Sequence, residues 1–113
     1  MTFSERNRQR CESFNGFDQK LSSWSSSDWM TALTGEVGEA ANIIKKLNRI
    51  RDNIKGNTET KEELEQSLGY ELADIYIYLD LLAQSLGRDL MELVEIKFNL
   101  TSKKIGYENY VLD

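Results

Sequence analysis

Gly35-Glu36-Val37-Gly38-Glu39 is answered further along the chain by Glu71-Leu72-Ala73-Asp74. Each stretch spaces two carboxylates three residues apart, which on a helix sets both on one face. Where two such faces meet, four acids converge on one small volume. Like charges in a poorly solvated site raise the cost of one another's ionisation, so such a cluster calls for a cation. The expectation is therefore a divalent-metal site between two long helices, with a solvated acidic face as the alternative for Glu36 and Glu39.

The flanking sequence supports the helices. Leu33, Val37, Ala40, Ala41, Ile44, Leu47 and Ile50 follow the helical period, and Ser27 or Asp28 suits the start. Glu36, Glu39, Ile43 and Lys46 form an adjoining stripe. Gly35 and Gly38 weaken the helix, which leaves two uses open: a close helix crossing, or a ligand beside the acids. A loop over residues 51–58 follows, with Asp52-Asn53 and Gly56-Asn57. Thr60-Lys61-Glu62-Glu63 has capping-box spacing and starts the second long helix. Its stripe is Leu64, Leu68, Leu72, Ile75, Leu79, Leu82 and Leu86. Between Leu72 and Ala83 it is apolar on nearly every side, the mark of a central helix. Asp74 lies inside that stretch and Glu71 at its edge, so their carboxylates need a partner.

Outside this pair, residues 4–14 read as a short helix with a thin apolar stripe of Phe3, Cys11 and Phe14, ended by Asn15-Gly16. A serine-rich connection over 17–28 carries Leu21 and Trp24. Gly87 ends the second long helix, and Asp89 falls in the first turn of the last. Leu90, Leu93, Val94 and Phe98 give that helix an apolar face; Lys97, Thr101 and Lys104 share another. It ends near Lys104, before Gly106, and residues 107–113 form a tail.

The chain has 113 residues and 40% apolar content, which fits one small domain over residues 1–113. Proline is absent, so long helices run uninterrupted. The net charge of -5 argues against a nucleic-acid binder. With no histidine, most zinc sites and the His-dependent nucleophile pairs are excluded. A metal would be held by oxygen, which points to magnesium, manganese or calcium. Cys11 is the single cysteine, which excludes an intramolecular disulfide. No apolar run is long enough to span a membrane and no signal core opens the chain, so a cytoplasmic location is expected.

Gly35 to Asn42, Lys45-Lys46-Leu47, Glu71 to Ile75, and Lys97-Phe98-Asn99 with Thr101-Ser102 together resemble the MazG-like all-α nucleoside triphosphate pyrophosphohydrolases. The likeness is to the small single-domain members of phages and bacteria and spans roughly Trp24 to Gly106. It implies an all-α bundle of about four helices, assembled as a homodimer or homotetramer. It also implies magnesium-dependent cleavage of a nucleoside triphosphate between the α- and β-phosphates. Glu36, Glu39, Glu71 and Asp74 would be the catalytic metal ligands, with magnesium, or manganese in its place. Lys97, Lys104 and Lys46 would meet phosphate, and Trp24, Asn42, Tyr78 and Asn99 the nucleoside; Trp29 precedes the same motif. The 31 residues between Glu39 and Glu71 exceed the spacing of compact members. The surplus is assigned to residues 51–60.

Two alternatives stand beside this expectation. One is a related enzyme acting on phosphoribosyl-ATP; the other is a helical oligomer that binds a nucleotide or protein without turnover. The apolar surface around Tyr76, Tyr78, Leu79 and Leu82 predicts at least a dimer.

Overall fold

In a computed structural model of the chain, residues 1–13 and 20–110 are described. The expected helix end at Asn15-Gly16, the side chains of Phe14 and Phe17, and the last three residues lie outside them. The described residues form four α-helices: α1 (Phe3–Ser13), α2 (Ser26–Arg51), α3 (Lys61–Ser85) and α4 (Leu90–Ile105). A 3-10 turn, Leu21–Ser23, precedes α2. There is no strand among the described residues.

The caps explain the boundaries. Ser25, one residue ahead of the helix, accepts a hydrogen bond from the Asp28 backbone N–H, and the Asp28 carboxylate accepts one from the Ser25 N–H at 2.9 Å. This reciprocal pair starts α2 at Ser26, slightly earlier than the composition alone indicates. Thr60 caps α3 through the Glu63 N–H, as expected. Asp89 is the N-cap of α4 rather than a first-turn residue, accepting from the Glu92 N–H at 3.1 Å. Gly106 closes α4 with φ 80°, a left-handed conformation that a side chain would strain.

α3 is the central element: it touches α1, α2, α4 and the 3-10 turn, whereas α4 meets no helix but α3. The main core gathers at one end, where Cys11, Leu21, Trp29, Leu81 and Leu82 are buried, with Trp24, Leu33 and Tyr78 packed on them. The radius of gyration is 17.8 Å, against about 13 Å for a compact chain of this length. The excess reflects a long α2–α3 hairpin with α4 reaching away from it.

Two expectations about faces are corrected. On α2, Ala40 is buried and Ile43, Leu47 and Ile50 half-buried, but Val37 and Ile44 are exposed. The face toward α3 is thus rotated to include Glu36 and Ile43. On α3, Leu72 and Tyr76 are exposed, while Leu82 is buried and Tyr78 and Leu79 half-buried. The uncovered apolar surface therefore includes Val37, Ile44, Leu72 and Tyr76, not the Tyr78–Leu82 side. It continues on α4 as Val94, Phe98 and Leu100. A Cβ built at Gly35 or Gly38 would meet no atom within 4 Å, so neither glycine serves a close helix crossing inside this chain.

Candidate metal and nucleotide site

Glu36 on α2 and Glu71 and Asp74 on α3 approach one another because these helices pack along their length. One carboxylate oxygen from each lies within 4.8 Å of the other two. All three side chains are half-buried. Glu36 Oε2 and Glu71 Oε2 are buried without a hydrogen-bond donor. None of the three takes part in the ion pairs among the described residues.

This crowding shows in their acidities. Glu36 is pushed up to about 7, chiefly by burial, then by its contact with Glu71 and the charges of Glu39, Asp74 and Glu71. Glu71 is also raised, first by burial and then by Glu39, while its contact with Glu36 pulls the other way. Glu39 is exposed and outside the tight trio, yet close enough to act on both. Buried carboxylate oxygens without a donor ask for a proton or a cation. An all-oxygen donor set of this kind suits a hard divalent ion such as magnesium or manganese.

Beside the acids opens a cavity of about 480 Å³. Glu36 and Asp74 line it together with Trp24, Trp29, Tyr78 and Leu81, and α1 contributes Asn7, Arg10 and Cys11. The two indole rings lie 4.6 Å apart between centroids, inclined by 52°, and Trp29 lies 6.5 Å from Tyr78. Burial raises the Tyr78 hydroxyl above its ordinary range, and Glu36 and Asp74 add to the effect. An aromatic-walled cavity with carboxylates at its edge can take a flat apolar ring at one end and a metal-bound anion at the other.

The remaining expected site residues lie elsewhere. Lys46, farther along α2, bonds Glu59 at 2.9 Å, and its backbone carbonyl accepts from the Asn57 side chain at 2.8 Å. Both contacts pin the loop between α2 and α3. Asn42 is exposed on α2, and Asn99 is half-buried on α4. Lys97 lines an open groove of α4 with Leu93, Val94, Phe98 and Thr101, and Lys104 is exposed at the end of that helix. Because α4 has no contact with α2, a single chain does not bring these lysines into the cavity beside the acids.

Three residues of this region escaped sequence reasoning. Asn7 and Arg10 belong to a polar helix with no chemical motif, and only the docking of α1 on α3 brings them to the cavity. Asp80 is the third: it is completely buried, whereas the carboxylate expected inside the apolar stretch, Asp74, is only half-buried.

Compared with protein-family models, curated proteins and solved structures, the chain matches none.

Proposed function

We propose that the protein is a magnesium-dependent nucleoside triphosphate pyrophosphohydrolase that cleaves between the α- and β-phosphates. The observation that carries this reading is the pairing of Glu36, Glu71 and Asp74 with an aromatic cavity that two of them share. Glu36, Glu71 and Asp74 would hold the divalent ion, with Glu39 at the rim. A bound magnesium ion supplies charge neutralisation for the polyphosphate and acidifies a water. The chain's own residues do the rest. Trp24, Trp29 and Tyr78 receive the base and exclude solvent from it. A carboxylate beside the ion, such as Glu39 at the exposed rim, accepts the proton of the attacking water. Arg10 offers positive charge from the α1 wall.

The separation of Lys97 and Lys104 from the acids bears on assembly. If they bind the phosphates, they come from another copy, so the proposal includes at least a homodimer. Its surface draws on the exposed apolar residues of α2, α3 and α4. The same separation favours, as the second reading, an oligomer that binds nucleotide without turning it over. Phosphoribosyl-ATP is the substrate alternative on the same scaffold.

A panel of nucleoside triphosphates with magnesium, assayed separately for pyrophosphate and phosphate, tests the proposal. Pyrophosphate release that is lost in Glu71→Gln and Asp74→Asn supports it. Release that survives both substitutions unchanged refutes the assigned site. Magnesium binding without turnover on any nucleotide leaves the binding reading.

A further inference from the structure

Asp80 is fully buried and has no cationic partner among its hydrogen bonds. Its Oδ1 accepts from the Ser4 hydroxyl at 2.6 Å; its Oδ2 accepts from the Asn7 amide at 3.0 Å and the Gln84 amide at 2.9 Å. Two of these donors lie on α1, the other on α3. The lock has a second layer: Asn7 Nδ2 also donates to the Ile77 carbonyl at 3.0 Å, and Gln84 Nε2 to the Ser4 carbonyl at 2.8 Å.

Such a network fixes what apolar packing leaves loose. α1 is mostly polar, with Asn7 and Cys11 its only buried residues. A thin apolar stripe would let a short helix roll or slide on α3, because hydrophobic contact is not directional. A buried carboxylate with three converging donors allows one rotation and one register. That register sets Asn7, Arg10 and Cys11 in the wall of the cavity that the aromatic residues also line. It also fixes the Asn7 amide. Both acceptors that face it, Ile77 O and Asp80 Oδ2, require nitrogen, so Oδ1 is the atom Asn7 has left to offer a ligand.

We propose that Asp80 is a positioning residue for the ligand cavity: it locks α1 onto α3 and so holds the polar wall against which the base of the nucleotide docks. The inference rests on the nucleotide reading above for the identity of the ligand. The lock itself does not depend on that reading. Asp80 belongs neither to the acid cluster nor to the residues that line the cavity, so its influence runs through its partners Ser4, Asn7 and Gln84, of which Asn7 is in the wall.

The test pairs the near-isosteric Asp80→Asn with the milder Ser4→Ala. With nucleoside triphosphate and magnesium, Asp80→Asn is expected to raise KM about tenfold and to leave kcat within about twofold; Ser4→Ala follows in the same direction with a smaller change. Acrylamide quenching of Trp24 and Trp29 and amide exchange of α1, both measured without nucleotide, are expected to increase in Asp80→Asn while exchange of α2 and α3 holds. A fall in kcat at unchanged KM overturns the proposal. So do wild-type quenching and α1 exchange in Asp80→Asn. If the wild-type protein turns over no nucleotide, the functional reading fails on its own. The quenching and exchange arms then decide the lock, with increases in both supporting it.

Discussion

Replacing Glu36 by glutamine should stabilise the metal-free protein at alkaline pH, although it removes a residue assigned to function. The folded chain holds Glu36 at about 7, against an ordinary value of 4.5. A carboxyl whose pKa is raised on folding binds more protons in the folded state across that interval. Its contribution is fully present below 4.5 and is lost as the pH climbs through 7. The full shift corresponds to about 3 kcal/mol, and solvent screening of a half-exposed cluster reduces this to about 1–2 kcal/mol. Glutamine keeps the shape, carries no charge at any pH and can donate to the unpaired Glu71 Oε2. Thermal unfolding in EDTA at pH 8 should therefore show Glu36→Gln melting roughly 5–10 °C above wild type. The gap should close by about pH 3, where Glu36 is neutral in folded and unfolded chains alike. Adding magnesium should raise the wild-type melting temperature more than that of the variant, because an ion relieves the repulsion that glutamine has already removed. A variant that melts at or below wild type at pH 8 in EDTA would refute the idea that burial and neighbouring charge make the ionised Glu36 costly to the fold.

Further outcomes follow from the same structure. Glu71→Gln and Asp74→Asn should each lower magnesium-dependent pyrophosphate release by more than about a hundredfold, with circular dichroism unchanged. Trp29→Ala should destabilise the fold by about 3–5 kcal/mol in urea, because the indole is 2% exposed in the main core. Ser25→Ala should cost about 1 kcal/mol through loss of the α2 cap, read in the same titration. Leu72→Asp together with Phe98→Asp, both on exposed apolar surface, should shift the protein to monomer in light scattering at micromolar concentration. A wild-type protein that is already monomeric there would remove the assembly from the account.

Much of the helical scaffold was legible in the sequence because its signals are local. The period of apolar residues gave α2 and α3, and Thr60 with Glu63 marked the start of α3. The acid pairs could be located for the same reason, since i, i+3 spacing fixes a common face. What escaped depends on distant partners. Asp80 and Asp74 sit in equally apolar surroundings along the chain. Only the docking of Ser4 and Asn7, more than 70 residues away, makes Asp80 the buried one. The α2 face differs from its apolar stripe because period alone does not say how far a stripe is turned, and Val37 and Ile44 lie outside. The position of α4 depends on how few contacts tie it to α3, which no residue pattern states.

The measurement that bears most directly on the central claim is a ³¹P NMR product analysis of a nucleoside triphosphate incubated with the protein and magnesium. The account predicts equimolar nucleoside monophosphate and pyrophosphate, with no reaction in EDTA or in Asp74→Asn. Nucleoside diphosphate with inorganic phosphate, or the same products formed in EDTA, would contradict it.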